Sequence, residues 1–449
     1  MFVLPSALQR IFAILSDFDT YLIGGCVRDL LLDIPPKDYD FTTAATPTQM
    51  LEIFEHHGIR TLEIGRAFGT IGVLIDSQVY EITTFRSEGD YRDSRRPSSV
   101  SFASTLLEDT KRRDFTINAL AYHPAHGLID YHGGRADLRA GILRAIGAPK
   151  ERFGEDALRI LRGVGFVSRF GLRVEEGTCV AMRECAPLLS RISGERITSE
   201  LEKILLGRFW TRAVGEFGGI LQRVLGREMD LSFCASDFSR SFASHSALAP
   251  RLDSSHSDSS HSNSSHSAAP HSAPTSSTAP LYAESHFAES SPRDSLDLPA
   301  SFCLRLAYLL HPAAPSDLPA SLVLSRAQRA ELETYLYYLT LPLPRSEREI
   351  CHMLRTSPKA AAPAPDYLAT FLAPYPSARA LLDAALTRAL PYRTRDLALS
   401  GVDLLGFPPA MRGEMLTRLL ILVIDGELEN SPHALRAYLK ATYGEVDSH

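Results

Sequence analysis

The sequence contains no segment of the kind that marks a membrane-spanning or secreted protein. None of its apolar runs reaches the roughly eighteen residues that a membrane span requires. The N-terminal segment lacks the basic start and the small-residue cleavage site of a secretory signal, and its pattern predicts an amphipathic helix. We therefore expect a cytoplasmic protein without a membrane role.

Cysteine pairs and an overall excess of positive charge are also absent. The six cysteines form no CxxC pair, which disfavours a structural zinc site and a disulfide framework. The net charge of −6 argues against binding of nucleic acid over the whole surface. Positive charge is local instead, because residues 111–173 contain twelve Arg and Lys against six Asp and Glu. Such an Arg-rich stretch suits phosphate contacts, although a solvated helix face has a similar composition.

Residues 20–147 have the pattern of a mixed α/β unit, in which strand-like runs alternate with helical ones. We expect a sheet that contains antiparallel strands and has helices at its sides. The predicted elements are strands at Tyr21–Ile23, Tyr39–Thr43, Thr70–Ile75 and Gln78–Phe85, a helix from the Gly24-Gly25 turn to Leu32, a helix that begins at Thr46-Pro47, and a hairpin connection at Asp76-Ser77.

From Glu151 onward the apolar residues have helical periodicity, which predicts one long helix followed by others to about Arg227. Residues 235–298 are rich in Ser, His, Ala and Pro and cannot bury enough apolar surface to fold, so they are predicted to be a disordered insertion. We expect deletion of residues 240–295 to leave activity nearly intact. Further helices are predicted at 302–311, 325–339, 412–425 and 432–442.

The most informative segment is YLIGGCVRDLLLDIPPKDYDFTT, which begins at Tyr21. One residue separates Asp38 from Asp40, so on a strand both side chains emerge on the same face. The two carboxylates repel unless a divalent cation lies between them, and Mg²⁺ held by carboxylates and substrate phosphates suits attack of a hydroxyl on an α-phosphate. The Gly24-Gly25 turn lets backbone N–H groups approach a phosphate, and Arg28 adds positive charge. Each feature alone is ordinary, but together they form a specific signature.

This signature resembles the opening motif of the polymerase-β-like nucleotidyltransferases, in the class II branch that contains the bacterial tRNA CCA-adding enzymes and the poly(A) polymerases. The resemblance implies that Asp38 and Asp40 are catalytic residues that bind the metal, which is Mg²⁺. It also implies that Gly24, Gly25 and Arg28 bind the nucleotide.

Two further segments contain candidate site residues. Glu81, in the segment VYEITTFR, is a candidate third catalytic carboxylate, and an edge-strand Glu that faces water is the alternative. The segment KRRDFTINALAY is similar to a family motif in which an Arg-Asp pair contacts the nucleotide sugar, which implies that role for Arg113 and Asp114. An Asp can accept from the 2′-hydroxyl that distinguishes ribose. A helix N-terminus capped by Asp114 is the alternative.

The family's base-reading motif, EDxxR, is found at Glu155, Asp156 and Arg159. On one helix Asp156 and Arg159 would be neighbours on the same face. The carboxylate can then accept from the exocyclic amine of cytosine or adenine while the guanidinium donates to the adjacent ring nitrogen. Uracil and guanine present the reverse pattern, and two mismatched groups would give roughly hundred-fold discrimination. Glu155 and Arg162, the latter also a nucleotide-binding residue, are expected to brace Arg159.

The resemblance implies an α+β fold, with a polymerase-β-like nucleotidyltransferase head followed by an all-helical neck, body and tail. The implied activity is template-independent addition of CCA to the 3′ end of tRNA, so the expected partners are the tRNA 3′ acceptor end, CTP and ATP. The expected domains are the head at 1–147, the neck with base recognition at 148–234, the insertion at 235–298, the body at 299–400 and a tRNA-binding tail at 401–449.

An A-adding tRNA nucleotidyltransferase and a poly(A) polymerase are the alternatives within the family. Poly(A) polymerases usually have Pro after the Glu-Asp of the base-reading motif, where this chain has Ala157. The segment RSEGDYRDSRRPSSVSF resembles a flexible loop of full CCA-adding enzymes, with Asp93, Arg95 and Arg96 as candidate switching residues.

Two alternatives lie outside nucleotidyl transfer. The segment LRLAYLLHP resembles a degenerate His-Asp phosphohydrolase motif, but the Asp position is Pro312, so no hydrolase metal is expected at His311. A noncatalytic tRNA-binding protein is the other, and the intact Asp38 and Asp40 argue against it.

Overall fold

The computed structural model describes residues 2–87, 101–229, 300–311, 318–358, 364–399 and 401–444. The predicted insertion at 235–298 lies outside the described residues, as do Asp93, Arg95 and Arg96 of the charged loop.

The strands are concentrated in the first part of the chain. They are β1 Thr20–Ile23, β2 Asp40–Thr43, β3 Arg60–Gly65, β4 Thr70–Ile75, β5 Gln78–Thr84, β6 Arg86–Ser87, β7 Ser101–Phe102, β8 Ala121–His123, β9 Gly127–Ile129, β10 Ile142–Leu143 and β11 Arg173–Val174. Seven of them form one sheet in the order β3-β4-β5-β2-β1-β8-β9. Its neighbouring strands are antiparallel except β2 and β5, which are parallel.

Helices lie around this sheet and make up most of the described chain beyond it. They are α1 Ser6–Ile14, α2 Gly25–Leu31, α3 Pro47–His56, α4 Leu106–Lys111, α5 Gly134–Arg139, α6 Pro149–Glu155, α7 Leu158–Phe170, α8 Glu176–Cys185, α9 Gly194–Leu206, α10 Trp210–Leu225, α11 Phe302–Leu310, α12 Arg326–Leu339, α13 Glu347–Thr356, α14 Ala364–Phe371, α15 Pro376–Thr387, α16 Pro409–Asp425 and α17 Pro432–Tyr443. The predicted α+β class, with a sheet-containing head before a helical region, is confirmed. Within the described ranges, no helix is both long and apolar enough to cross a membrane.

Local signals in the sequence account for several element boundaries. The hairpin between β4 and β5 turns at Asp76 and Ser77, whose φ angles of 50° and 64° are both left-handed, as a tight two-residue hairpin requires. Thr46 forms a capping box with Gln49 at the start of α3, and Pro47 is the first helical residue. These elements were predicted at the same positions.

The predicted long helix from Glu151 is wrong. The chain forms α6 and α7 instead, separated at Asp156, whose φ of −145° and ψ of 101° are extended. The Asp156 carboxylate accepts a hydrogen bond from the backbone N–H of Leu158 at 3.1 Å, so the side chain satisfies a donor that has no partner in the first turn of α7.

The head and the helical region meet along α7. This helix packs against α9 and α10, and its Phe166 ring lies edge-on to Phe115 of the head with 5.7 Å between ring centroids. Gly171 ends α7 in the left-handed conformation. The contact between Phe166 and Phe115 thus holds one face of α7 against the head.

Candidate functional site

The Gly24-Gly25 turn joins the end of β1 to α2. Gly24 has φ 80° and ψ −128°, a conformation that favours glycine, and a Cβ there would lie 3.0 Å from Nη1 of Arg113. Its N–H donates to the carbonyl of Leu120 at 3.0 Å. The turn is therefore held against the segment that contains Arg113.

Arg28, one turn into α2, is buried and held on several sides. Its Nε and Nη2 donate to Oδ1 of Asp29 at 2.9 and 2.7 Å, and its Nη1 donates to Oδ1 of Asn118. The guanidinium carbon lies 5.3 and 4.8 Å from the ring centroids of Phe166 and Phe170. Burial lowers the pKa of Arg28, and Asp29 opposes that shift. The positive charge predicted here is thus fixed in place by both the head and α7.

Asp29 connects the two parts of the site. While its Oδ1 accepts from Arg28, its Oδ2 accepts from Nη2 of Arg169 on α7 at 3.1 Å. The Arg28 and Asp29 side chains are 4% and 8% exposed, so water screens their contact weakly, whereas the Arg169 side chain is 52% exposed and its contact is screened more.

The acidic pair differs in one respect from the prediction. β2 begins at Asp40, and Asp38 lies in the bend before it, because pairing with β5 begins only at Asp40. The alternation of side chains along a strand therefore does not determine whether the Asp38 side chain lies on the same face as that of Asp40. Both side chains are exposed.

Glu81 is the register partner of Asp40 on the parallel neighbour β5. Because β5 lies between β4 and β2, Glu81 is not on an edge strand. Local desolvation and the charges of Asp38 and Glu81 raise the pKa of Asp40 to about 6, and Arg113 opposes them. Within the described part of the chain, no three Asp, Glu, His or Cys side chains are grouped so as to hold a metal by themselves.

Asp109 is a central acceptor that the sequence analysis did not single out. It is fully buried and accepts from Arg112 at 2.6 Å, from Arg113 at 3.3 Å and from the backbone N–H of Arg86 at 3.1 Å. Burial alone would raise the pKa of Asp109, but Arg113 and Arg112 hold it below its usual value. The spacing of Asp109 with Arg112 and Arg113 was the available signal, since residues three and four apart on a helix are neighbours.

Asp114 is buried rather than solvated at a helix end. Its Oδ1 accepts from the backbone N–H of Phe115 at 2.8 Å and from Nδ2 of Asn118 at 3.0 Å. Its Oδ2 pairs with Arg162 at 2.7 Å. Burial opposes ionisation, yet Arg162 and Asn118 hold the pKa of Asp114 below its usual value.

Arg162 therefore does not brace Arg159 as expected, because the carboxylate of Asp114 takes its guanidinium. Arg159 pairs instead with Glu155, 2.6 Å from Nη1 to Oε2, as the sequence predicted. Arg159 also donates to the backbone carbonyls of Arg152 and Arg112, each at 2.9 Å.

Asp156 and Arg159 are not neighbours on one helical face, because Asp156 lies in the break before α7. Both nevertheless line one cleft of 540 Å³, together with Asp40. Asp38 and Glu81 are not among its lining residues. The lining residues are Gly24, Gly25, Arg28, Asp40, Arg112, Arg113, Asp114, Asn118, Asp156, Leu158, Arg159, Arg162, Gly165, Phe166, Arg169, Arg196, Glu200 and Lys203.

The cleft is strongly positive. Eight Arg and Lys side chains line it against four Asp and Glu side chains. Such an excess of cations suits a polyphosphate, and the Phe166 ring and the polar side chains of Asp156 and Arg159 offer stacking and hydrogen-bonding contacts at the α7 side. Phe166, Arg169, Arg196, Glu200 and Lys203 were not predicted, since their place depends on how α7 and α9 pack.

Comparison with family models gives two matches. Residues 20–144 match the Poly A polymerase head domain, and residues 171–216 match the "Probable RNA and SrmB- binding site of polymerase A". The first match contains the strands of the sheet, the glycine turn and both aspartates at 38 and 40.

Relatives with similar sequences include CCA-adding enzymes of two bacteria. The chain is 47% identical to that of Streptococcus gordonii over 216 residues and 44% identical to that of Geobacillus stearothermophilus over 224. These alignments cover 47% and 49% of this chain, and 53% and 54% of the relatives. The chain therefore spans about half the length of the curated relatives it matches.

Solved structures resemble the chain over most of its length. The CCA-adding enzyme of Bacillus stearothermophilus in complex with CTP superposes with a TM-score of 0.64, at 27% identity over 98% of each chain. The Thermotoga maritima CCA-adding enzyme complexed with tRNA gives a TM-score of 0.61 at 20% identity, over 98% of this chain and 96% of that one, which shows a shared fold.

Proposed function

We propose that the protein adds CCA to the 3′ end of tRNA from CTP and ATP, without a template, and the match of residues 20–144 to the Poly A polymerase head domain supports this. The observation that carries the proposal is the shared cleft, in which an aspartate of the sheet and the base-reading pair of the helical region line the same space. A nucleotide in that cleft could contact both ends of the site at once.

The base end of the nucleotide is assigned to Asp156 and Arg159. Asp156 accepts from the exocyclic amine of cytosine or adenine, and Arg159 donates to the ring nitrogen next to it. Glu155 holds Arg159 through an ion pair of 2.6 Å, so the guanidinium keeps one orientation. Uracil and guanine would place a carbonyl oxygen against the Asp156 carboxylate and a ring N–H against the Arg159 guanidinium. Neither contact forms a hydrogen bond, so binding of these two bases is disfavoured.

The triphosphate end is assigned to Gly24, Gly25 and Arg28, which line the cleft. Arg113 is assigned to the sugar, together with Asp114. Both carboxylate oxygens of Asp114 already accept hydrogen bonds, one of them from Arg162. We therefore assign Asp114 to the sugar together with Arg162, whose guanidinium it holds in position.

We assign the catalytic metal, Mg²⁺, to Asp38 and Asp40, with Glu81 beside Asp40 as a third catalytic carboxylate. The fit rests on the chemistry of the donors: desolvation raises the pKa of Asp40, and the charges of Asp38 and Glu81 raise it further, as closely spaced acids without a counter-cation do. Mg²⁺ uses one or two carboxylates plus substrate phosphates, so a complete protein cage is not required. When bound, it neutralises charge on the α-phosphate and lowers the pKa of the attacking hydroxyl.

The helical region is assigned to tRNA. We propose domain boundaries of 1–147 for the head, 148–234 for the neck, 299–400 for the body and 401–449 for the tail. In this arrangement the neck supplies the base-reading pair, and the tRNA acceptor end approaches the cleft from the helical side.

The test is an incorporation assay with tRNA that lacks its 3′ end, Mg²⁺, CTP and ATP. We expect addition of C, C and A, after which the reaction stops. Unlimited addition of A would identify a poly(A) polymerase, and addition only to tRNA that already ends in CC would identify an A-adding enzyme. Failure to incorporate any nucleotide, with tRNA binding intact, would contradict the proposal.

A further inference from the structure

The position of the Asp156 carboxylate is set by two donors from different parts of the chain. Oδ1 accepts the backbone N–H of Leu158 at 3.1 Å, which is a local contact. Oδ2 accepts Nη2 of Arg196 at 2.8 Å, and Arg196 is 40 residues further along the chain, on α9. The second contact therefore fixes the carboxylate relative to another helix that lines the cleft.

The backbone does not hold Asp156 in a helix, since it lies in the break between α6 and α7. Arg159, its proposed partner in base reading, does not hold it either. The guanidinium of Arg159 donates to Glu155 and to the carbonyls of Arg152 and Arg112. The two base-reading side chains are thus anchored independently, and the anchor of Asp156 is Arg196.

Arg196 is well placed for this role. Among the described residues, the carboxylate that it contacts is that of Asp156. Arg196 lies in the first turn of α9, lines the cleft, and has a side chain 30% exposed. Its Nη1 is enclosed and makes no hydrogen bond within the described structure. On the same helix, Glu200 pairs with Lys203 at 2.8 Å instead. Arg196 therefore acts on Asp156.

We propose that Arg196 is a positioning residue that sets nucleotide specificity. It holds Oδ2 of Asp156, so that the remaining lone pairs of the carboxylate point to the amine of cytosine or adenine. This inference rests on the proposed function, because it assigns a role within the same site.

The test compares CTP and UTP in single-turnover incorporation on tRNA that lacks its 3′ end. In Arg196→Ala we expect the preference for CTP over UTP, as a ratio of kcat/KM, to fall by about tenfold, the effect of one misaligned hydrogen bond. Arg196→Lys, which keeps the charge and a donor, should recover part of the preference. Arg191→Ala is the matched control, because Arg191 is exposed and does not line the cleft.

The outcomes separate the two proposals. If Arg196→Ala and Arg196→Lys both retain the wild-type CTP preference while turnover or melting temperature falls, Arg196 is only structural and the inference is wrong. If Arg196→Ala does not fold, Arg196→Met decides, because it keeps the length of the side chain but has no donor, and unchanged selectivity there overturns the inference. Wild-type protein that incorporates no nucleotide would instead overturn the proposed function, and the inference with it.

Discussion

The cleft and the helical region beyond it use charge in opposite ways. At the cleft, two buried carboxylates hold guanidinium groups of its lining: Asp114 holds Arg162, and Asp109, which does not itself line the cleft, holds Arg112 and Arg113. Among the described residues beyond 300, the buried side chains are apolar apart from Arg305 and Thr334, and ion pairs such as Arg329 with Glu333 lie nearer the surface, with side chains 58% and 33% exposed. Buried ion pairs are poor contributors to stability compared with apolar packing. Their concentration at the cleft therefore indicates a functional requirement.

The strongest test of this contrast is removal of a carboxylate that the fold does not need. Asp40→Ala should lower incorporation by at least about a thousandfold, because the metal loses a ligand, while tRNA binding persists. The melting temperature should not fall, because Asp40 is exposed, and desolvation together with the charges of Asp38 and Glu81 disfavours its ionised form. Single-turnover incorporation and tRNA filter binding measure both effects.

The matched control is Glu52→Ala, which removes an exposed acid from α3. Its incorporation rate should equal that of the wild type. Loss of activity in both variants, or retained activity in Asp40→Ala, would contradict the assignment of Asp40.

A buried carboxylate that holds residues of the cleft lining should behave in the opposite way and affect the fold. Asp109→Ala leaves Arg112 and Arg113 without their shared acceptor, and breaking a buried pair costs about 3 to 5 kcal/mol. Urea unfolding should show that loss. The exposed neighbour Glu108 provides the control, since Glu108→Ala should change the free energy of unfolding far less.

The stability supplied by Asp109 should depend on pH in a defined direction. Its folded-state pKa is below the ordinary value of about 3.9, so the contribution is complete above that value and is lost as the pH falls through the folded-state pKa. The difference in unfolding free energy between the wild type and Asp109→Asn should therefore be larger at pH 7 than at pH 3. A difference that stays constant over this range would show that ionisation of Asp109 does not stabilise the fold.

The smallest effect is expected at the surface of the helical region. Glu333→Ala removes an exposed ion pair within α12, which contributes about 0.3 kcal/mol. Urea unfolding in low and high salt should barely distinguish this variant from the wild type. A loss of unfolding free energy as large as that expected for Asp109→Ala would contradict the difference between the two regions.

Much of the head could be predicted because its signals are local. The capping box at Thr46, the hairpin turn at Asp76-Ser77 and the glycine turn at Gly24 each depend on a few adjacent residues, and the structure has them where the sequence placed them. The resemblance to the nucleotidyltransferase family is likewise confirmed. It rested on short motifs, which survive changes elsewhere in a chain.

Two charge pairings of the cleft could not be predicted, because they join distant segments. Arg162 meets Asp114 across 48 residues, and Arg196 meets Asp156 across 40. The helix break at Asp156 was also missed, since the apolar periodicity continues through it, while the extended backbone of Asp156 and the bond from the Leu158 N–H to its carboxylate are not visible in that periodicity. The roles assigned to the site residues stay predictions.

The shared contacts of Asp29 have a consequence for the size of the molecule that the cleft admits. Because one carboxylate grips Arg28 near the glycine turn and Arg169 on α7, the distance between the two walls is fixed before any ligand enters. A nucleotide bound as proposed, with its phosphates at the glycine turn and its base at the α7 side, must therefore span a separation that the protein sets in advance.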